Sequence, residues 1–575
     1  MSMTLAEIAA VFEQAAMLLE LSGANPFKIR AYANAARLLP SIEEAVESFL
    51  EKAQAGEIKG VGKGLTQDIV ELLETGRLQF VEELRAGFPE TIFDLFNVPG
   101  LGPKKVKVLY RELGIESLGA LEQACREQHL ARLPGFGKKS QEKILAGVIR
   151  MRDYHGRFHV STARRVADEL SAFLQTTGLA DRLEVAGSLR RYKETVKDVD
   201  LLAASPEPER LMRAFVEYAD VLEVTAHGPT KSSIVLKSAG ISIDLRVVTS
   251  AQFPVAWVHF TGSKEHNTLL RGLAKKRGWK LSEYGLFDGE TPFPIEDEAG
   301  VYAKFDLPFV PPELREGFDE LDLAAAGQLP ELLPFGATRG VVHAHSRYSD
   351  GLLTLAALAA AVRERGFAYL GITDHSQTAA YAGGLRPDDI KRQHEEIDRL
   401  NAELAPFRIF KGIESDILPD GSLDYDEKTL ASFDFVIASV HGSFTMDAET
   451  MTRRIISAIE NPHTTIVGHL TGRLLLTRDA YAVDVNAVLE AAARHNVAVE
   501  LNANPHRLDL DWRHHRRARE LGVKVPICPD AHRAEGINDV HYGEGIARKG
   551  GLSALDVPTC LPVDEFGAWL SRRKT

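Results

Sequence analysis

The sequence predicts a multidomain protein with short α-helical domains at the N-terminus, an α+β domain in the middle and a C-terminal α/β barrel. Three observations predict it. Through residue 150 or so, apolar residues recur at three- and four-residue spacing, as on helices that bury one face. From about 160 to 255 the composition shifts to β-branched runs such as Arg182-Leu-Glu-Val-Ala and Ser233-Ile-Val-Leu, typical of strands. From about 338 onward, strand-like runs (VVHAHS, YLGITDH) alternate with helical ones (LAALAAAVRERG), the mark of βαβ units that close into a barrel.

A chain of 575 residues is too long for one hydrophobic core. The expected segments are 1–90, 91–155, 156–255, 256–318, an acidic, Ala-rich linker at 319–337, and 338–575. Hydrophobic content of 45% and charged content of 26% are those of an ordinary globular protein. No run of about 18 apolar residues occurs, so no membrane partner is expected. The opening MSMTLAEIAAVFEQAAMLLE is amphipathic and acidic, unlike a signal or transit peptide. Cys125, Cys528 and Cys560 form no CxxC pair, which fits a reducing compartment and excludes a cysteine zinc module. A cytoplasmic monomer is the expectation. The net charge of −13 argues against a simple nucleic-acid coat, yet residues 91–160 hold 12 Lys and Arg against 7 acids. Such a local basic region suits a docked contact with a nucleic-acid backbone.

The helical part carries an internal repeat. Its copies are Lys59-Gly60-Val61-Gly62-Lys63-Gly64, Val98-Pro99-Gly100-Leu101-Gly102-Pro103-Lys104-Lys105 and Leu133-Pro134-Gly135-Phe136-Gly137-Lys138-Lys139. A Gly-x-Gly turn that opens a helix brings backbone N–H groups close to a phosphate, and the lysines add charge. A plain helix-helix turn would use glycine only for its positive φ, but threefold repetition with lysines favours phosphate. These stretches resemble helix-hairpin-helix motifs, which grip DNA without reading its sequence. The resemblance makes Gly60, Gly62, Lys63, Gly100, Gly102, Lys104, Lys105, Gly135, Gly137 and Lys138 the DNA contacts.

In the middle segment Asp198-Val199-Asp200 places two carboxylates on one face of a strand, and Asp244 in Ile241-Ser242-Ile243-Asp244 can complete a metal site from a neighbouring strand. Two ions there activate a 3′-hydroxyl and stabilise a pyrophosphate leaving group. Upstream, Gly187-Ser188 begins a helix or turn that can hold a triphosphate, with Arg191 neutralising it. A lone Asp-x-Asp is a common solvated strand face; the Gly-Ser-x-Arg-Arg lead and the third carboxylate make it a site. Residues 1–318 resemble a family X DNA polymerase, so 156–255 is expected as a nucleotidyltransferase palm and 256–318 as the subdomain that closes over the nucleotide.

That resemblance implies that Asp198, Asp200 and Asp244 bind two Mg²⁺ or Mn²⁺ ions. It also implies that Gly187, Ser188 and Arg191 contact the nucleotide's phosphates. His259-Phe260-Thr261-Gly262-Ser263 is similar to the family's Tyr-Phe-Thr-Gly-Ser loop, bringing Phe260 and Gly262 to the nucleotide, and His259 departs from it in place of Tyr. Asn267 and Arg271 fall where the family faces the minor groove of the nascent pair, and Leu281-Ser282-Glu283-Tyr284 matches its closing subdomain. Near the N-terminus, Lys28 and Tyr32 match residues that contact DNA near a 5′ end. Asp68 stands where the family's repair lyase has its Schiff-base lysine, so lyase chemistry does not carry over directly.

The C-terminal segment has the other site. His343 and His345, spaced i and i+2, point the same way from a strand end. Asp350 follows in a turn before Gly351, and His375, Glu414, His441, His469, Asp530 and His532 come just after apolar runs, at the C-terminal strand ends where barrel enzymes keep their active residues. One such histidine would be structural; nine ligands at seven strand ends form a metal centre. They resemble the PHP (polymerase and histidinol phosphatase) domain, a distorted seven-strand barrel with up to three Mn²⁺ or Zn²⁺ ions. By that likeness Glu414 bridges two ions, His343, His345 and Asp530 serve one, His441 and His469 the second, and Asp350, His375 and His532 the third. Such a centre activates water to attack a phosphodiester. Arg473, in His469-Leu470-Thr471-Gly472-Arg473, is placed to clamp a phosphate. His463 and His506 match no ligand position and read as surface residues.

The resulting expectation is a repair polymerase adding dNTPs at 3′ ends in short gaps of primer-template DNA. Its barrel is a metal-dependent 3′-5′ exonuclease or 3′-end processing phosphoesterase. The alternatives are a barrel that only docks DNA and, from another class, a small-molecule phosphatase.

Overall fold

Thr4 starts the first helix with a capping box: its side chain accepts the Glu7 N–H and the Glu7 carboxylate accepts the Thr4 N–H. The computed structural model describes residues 3–39, 46–58, 60–98, 100–133, 135–154 and 156–572; Lys59, Pro99 and Pro134 of the repeat lie outside them. The chain forms two compact units, residues 1–155 and 156–575.

The first unit is helical: α1 (Leu5–Ser22), α2 (Pro26–Leu38), α3 (Val46–Gln54), α4 (Lys63–Thr75), α5 (Gln79–Ala86), α6 (Pro103–Leu113), α7 (Leu118–Arg126) and α8 (Lys138–Tyr154). One core gathers Phe12, Tyr32, Phe49 and Ile69, and a second Leu95, Val106, Leu121 and Ile144. The three repeats open α4, α6 and α8. Gly60, Gly100 and Gly135 have φ of 97°, 87° and 84°, where a side chain would be strained. The apolar residue between the glycines (Val61, Leu101 or Phe136) is buried and anchors the turn, which leaves the glycine backbone facing outward.

The second unit begins with β1 (Phe158–His159), α9 (Val160–Thr176), β2 (Arg182–Val185), α10 (Gly187–Arg190), β3 (Thr195–Val196), β4 (Asp198–Ala204), α11 (Pro208–Val216), β5 (Val221–His227), β6 (Lys231–Leu236) and β7 (Ser242–Val248). Five of these strands form a sheet of order β2-β4-β7-β6-β5, in which β4 and β7 run parallel. Next come α12 (Phe253–Thr261), α13 (Lys264–Lys276), the strands β8 (Trp279–Ser282), β9 (Gly285–Asp288) and β10 (Thr291–Pro292), and α14 (Glu298–Ala303).

Residues 319–337, expected as a linker, are packed. Helix α15 (Glu320–Ala325) buries Leu321 and Ala324, and Leu333 is buried with its N–H on the Leu552 carbonyl. Charge explains it: Glu320 is the partner of the buried His266 at 2.7 Å, and Asp319 pairs with Arg516 at 2.8 Å.

The barrel consists of β11 (Gly340–Val342), α16 (Leu355–Glu364), β12 (Tyr369–Ile372), α17 (Pro387–Leu404), β13 (Arg408–Asp416), α18 (Glu427–Leu430), β14 (Phe435–Ser439), α19 (Ala448–Glu460), β15 (Thr464–Val467), α20 (Val485–His495), β16 (Ala498–Val499), β17 (Leu501–Asn502), α21 (His515–Glu520), β18 (Ile527–Cys528), α22 (Val540–Lys549) and α23 (Val563–Ser571). Strands β11 to β16 pair in sequence order, all parallel, and β17 pairs with β18. Since β16 and β17 are one extended stretch interrupted at Glu500, seven strand segments make the wall. The bridge between Ala344 and Ala531 brings the last segment back to the first.

Candidate active sites

The parallel register of β4 and β7 sets Asp200 directly beside Asp244 and Asp198 beside Ser242. Alternation along β4 then puts Asp198 and Asp200 on the same face as Asp244. Asp244 is held from β6 by Ser233, whose hydroxyl donates at 2.6 Å, and by Lys231 at 2.5 Å. Burial, then the charges of Asp198 and Asp244, push the Asp200 carboxyl up to about 6; burial and Asp244 raise Asp198 as well. Gly187 lies against this cluster at φ 62°, where an added Cβ would come 2.0 Å from Asp200 Oδ2. No other residue fits there.

Gly187, Ser188, Arg191, Asp198 and Asp200 share a cavity of about 420 Å³ with His259, Phe260, Gly262, Asn267 and Arg271. The structure thus brings the expected nucleotide residues together. Asn267 donates to the His259 carbonyl at 2.7 Å, and Arg246 lies 4.5 Å from the Phe260 ring. Arg191 is anchored: its guanidinium donates to the Thr261 carbonyl and, at 3.2 Å, to Glu316. Arg190 points away, onto Glu298 and the face of Trp257.

In the barrel all nine predicted ligands converge. Glu414 is the hub, with ring nitrogens of His469 at 3.0 Å, His441 at 3.2 Å, His343 at 3.3 Å and His375 at 2.9 Å. Asp530 lies 3.2 Å from His345, and Asp350 lies 3.4 Å from His532 and 3.6 Å from His375. His343 and Asp530 have φ of 66° and 54°, a backbone strain that side chains accept only where the surroundings over-determine it.

The charges interlock. Burial opposes ionisation of Glu414, but His441, His343 and His375 hold its carboxyl well below the usual range. Burial likewise opposes protonation of His343, and the carboxylates of Glu500, Asp530 and Glu414 win, raising it well above the ordinary imidazole value. His345 goes the opposite way, down to about 3, because burial and the neighbouring His532 and His375 outweigh its contact with Asp530. The buried nitrogens His343 Nε2, His345 Nε2 and His375 Nδ1 make no hydrogen bond within the chain. Ring nitrogens without a hydrogen-bond partner, set beside carboxylates, are what Mn²⁺ or Zn²⁺ takes in exchange for their protons, so the donor set fits. Close groupings are His343, His345 and Asp530; His375, Glu414 and His441; and His345, Asp350, His375 and His532.

Sequence reasoning missed the residues behind the ligands. Glu500 binds His343 Nδ1 at 2.5 Å and accepts the His469 N–H at 2.6 Å. Asp416 binds His441 Nδ1 at 2.5 Å, and Asn502 donates to Asp530 at 3.1 Å. Buried Asp374 accepts from Ser346 and Ser349 and so shapes the turn that carries Asp350. Carboxylates on the far nitrogen of a ligating imidazole fix its tautomer and orientation. Their signal was available: Asp416 lies two residues beyond Glu414 on β13, and Glu500 ends the apolar run before Leu501.

Two side chains differ from expectation. Arg473 does not face the metal centre; its donors go to Asp511 at 2.6 Å and to the carbonyls of Arg507 and Leu508. The cation at the centre is Arg507, with Nε 3.5 Å from Asp530 Oδ2. His463 is half-buried, whereas His506 is exposed and packs against His159.

In the first unit Tyr32, expected as a DNA contact, is buried between Phe12 and Phe80, and its hydroxyl donates to Asp68 at 2.5 Å. Lys28 covers the Phe80 ring at 4.5 Å. Gly60, Gly62, Lys63, Gly100, Gly102, Lys104, Gly135, Gly137 and Lys138 are exposed, whereas Lys105 folds back onto the Gly100 carbonyl at 2.9 Å.

The chain is 40% identical over 571 residues to the "DNA polymerase/3'-5' exonuclease PolX" of Bacillus subtilis (strain 168), covering 98% of this chain and 99% of that protein. It belongs to the family X DNA polymerases that carry a PHP domain. As in that family, residues 3–78 match a helix-hairpin-helix domain, 92–148 a SAM-like helix-hairpin-helix tandem, 256–316 the DNA polymerase beta thumb, and 342–504 the PHP domain. Rat DNA polymerase lambda is 28% identical over 282 residues, 46% of either chain. A probable phosphatase of Caldanaerobacter subterraneus is 32% identical over 134 residues, 22% of this chain and 50% of its own. Asp530 and His532 lie beyond the PHP match, and the fold brings them to the other seven ligands. Among the described residues no helix is long and apolar enough to cross a membrane.

Proposed function

We propose that this chain extends DNA 3′ ends with dNTPs at Asp198, Asp200 and Asp244, and removes 3′-terminal nucleotides at the barrel's His-rich centre. The observation that carries this reading is the presence of two chemically different clusters, one of carboxylates and one rich in histidine, in a chain with three Gly-x-Gly hairpins. The full-length similarity to a polymerase/3'-5' exonuclease supports it. Short gaps are the favoured substrate, because hairpins that grip backbone on a helical unit suit a nicked or gapped duplex.

Two Mg²⁺ or Mn²⁺ ions at the triad and up to three Mn²⁺ or Zn²⁺ ions at the barrel would supply Lewis acidity and activation of a hydroxyl or water. The rest is the work of the protein's own residues. Ser233 and Lys231 hold the Asp244 carboxylate in place. Ser188 and Arg191 receive the triphosphate, and Asn267 and Arg271 line the same cavity where the nascent pair would lie. At the barrel, Arg507 beside Asp530 is placed to neutralise a non-bridging phosphate oxygen.

A labelled primer on a gapped template, with Mg²⁺ or Mn²⁺, tests both halves. Asp198→Ala with Asp200→Ala should abolish extension and leave degradation; His343→Ala with His345→Ala should do the reverse. Degradation that survives the histidine changes would refute the catalytic reading of the barrel. One relative is named a probable phosphatase, so a primer ending in a 3′-phosphate belongs in the same assay. Phosphate release with no shortening of the strand would assign the barrel to end processing.

A further inference from the structure

The segment Arg191–Glu194 joins the cavity-lining helix α10 to the strands that present Asp198 and Asp200, and the barrel grips it residue by residue. Lys549, fully buried at the end of α22, donates to the Arg191 carbonyl at 2.9 Å and to the Glu316 carboxylate at 2.6 Å. Glu316 also takes Arg191 at 3.2 Å and Lys193 at 2.7 Å, so one carboxylate collects three cations. Tyr192 has φ of 53° and turns its ring onto α22, where an added Cβ at Gly545 would come 1.9 Å from it. Its hydroxyl meets His541 Nε2 at 3.1 Å. Glu194 faces Arg473 at 3.4 Å and Arg513 at 3.7 Å, both from the barrel.

This web explains side chains that the phosphoesterase site leaves unused. Arg473 and Lys549 are buried cations of the barrel, yet their anionic partners include polymerase residues. Burying such groups is costly unless each is paired, so they hold their places only as a set. The competition at Glu316 matters most. Arg191 borders the nucleotide cavity, and a carboxylate that bound it alone would draw its charge away from a triphosphate. Lys549 and Lys193 share that carboxylate.

We propose that the barrel is a working part of the nucleotidyl-transfer site, with Lys549 the positioning residue that acts through Glu316 to leave Arg191 available to the nucleotide's phosphates. The proposal rests on the reading of Arg191 as a phosphate contact. Lys549→Met in the full chain should raise the dNTP KM about tenfold in gapped-primer extension, with 3′-5′ degradation unchanged. Adding Glu316→Gln to it should bring the KM most of the way back, since the carboxylate that withdraws Arg191 is then gone. A merely structural role gives no such rescue. An unchanged KM, a KM that stays high in the double variant, or a parallel loss of both activities with a lower Tm would each overturn the proposal. If Lys549→Met does not fold, Lys193→Met carries the test, since it removes the other cation that competes with Arg191 for Glu316, with a rise of about threefold expected and no rise overturning the proposal. A wild-type chain that fails to extend primers would instead refute the polymerase reading itself.

Discussion

The palm and the barrel solve one problem, holding divalent cations beside a phosphate, in opposite ways. The palm crowds three carboxylates with few counter-charges, Lys231 and Arg246 among them, and burial together with mutual repulsion pushes Asp200 up to about 6. The barrel mixes six imidazoles with three carboxylates and sets opposite charges against each other: Glu414 is depressed while His441 is raised to about 10 by Glu414 and Asp416 against its burial. Like charges crowded together call for cations to screen them, whereas a set that mixes opposite charges is partly neutralised before any cation binds.

The sharpest break of that contrast is Glu414→Gln. Losing the hub should cut degradation by roughly a thousandfold and lower bound Mn²⁺ or Zn²⁺ by elemental analysis, with extension retained. Extension lost in parallel would mean the two sites are not separable. Gly187→Ala attacks the other side. Its Cβ must displace Asp200, so extension should fall by about a hundredfold while the barrel's activity stays unchanged. Behind the barrel ligands, Glu500→Gln or Asp416→Asn should weaken metal affinity by about 10- to 100-fold in a chelator competition. An unaltered affinity would reduce those carboxylates to packing.

Glu316 supplies a pH test. Burial opposes its ionisation, but Lys549, Arg191 and Lys193 hold its carboxyl at about 2, below the ordinary 4.5. A depressed folded-state pKa means stabilisation that is complete above about pH 4.5 and lost as the pH falls toward 2. Glu316→Gln should therefore melt lower than wild type at pH 7, and the difference should shrink across that acid window by on the order of 2 kcal/mol. The smallest effect belongs to the hairpins. Lys138→Ala should weaken DNA binding alike for all sequences and lower the slope of log K against log salt by about 1.

How much was legible follows from the range of each interaction. Asp198, Asp200 and Asp244 could be read because strand alternation is local and the Gly187-Ser188 lead precedes them by ten residues or so. The convergence of the nine barrel side chains could be read because most of them follow apolar runs that end at one rim of the barrel. Arg473 was misjudged because its proximity to His469 in sequence suggested one site, whereas its donors reach Asp511 and Glu194. Tyr32 was misjudged for a similar reason: a position on a helix does not say which face is covered, and Phe12 and Phe80 cover this one.

By itself the sequence determined the kinds of domain, both clusters of candidate ligands and the hairpin turns, since these depend on period, turn chemistry and residue type over a few positions. Only the tertiary structure decided what stands behind the ligands, that Arg507 and not Arg473 faces the metal centre, and that the barrel holds the polymerase's Arg191–Glu194 segment. Those outcomes turn on pairing between buried charges hundreds of residues apart, as Glu194 is from Arg473 and Arg191 from Lys549. Burial makes such charges find partners, and only the folded chain determines which partners lie within reach.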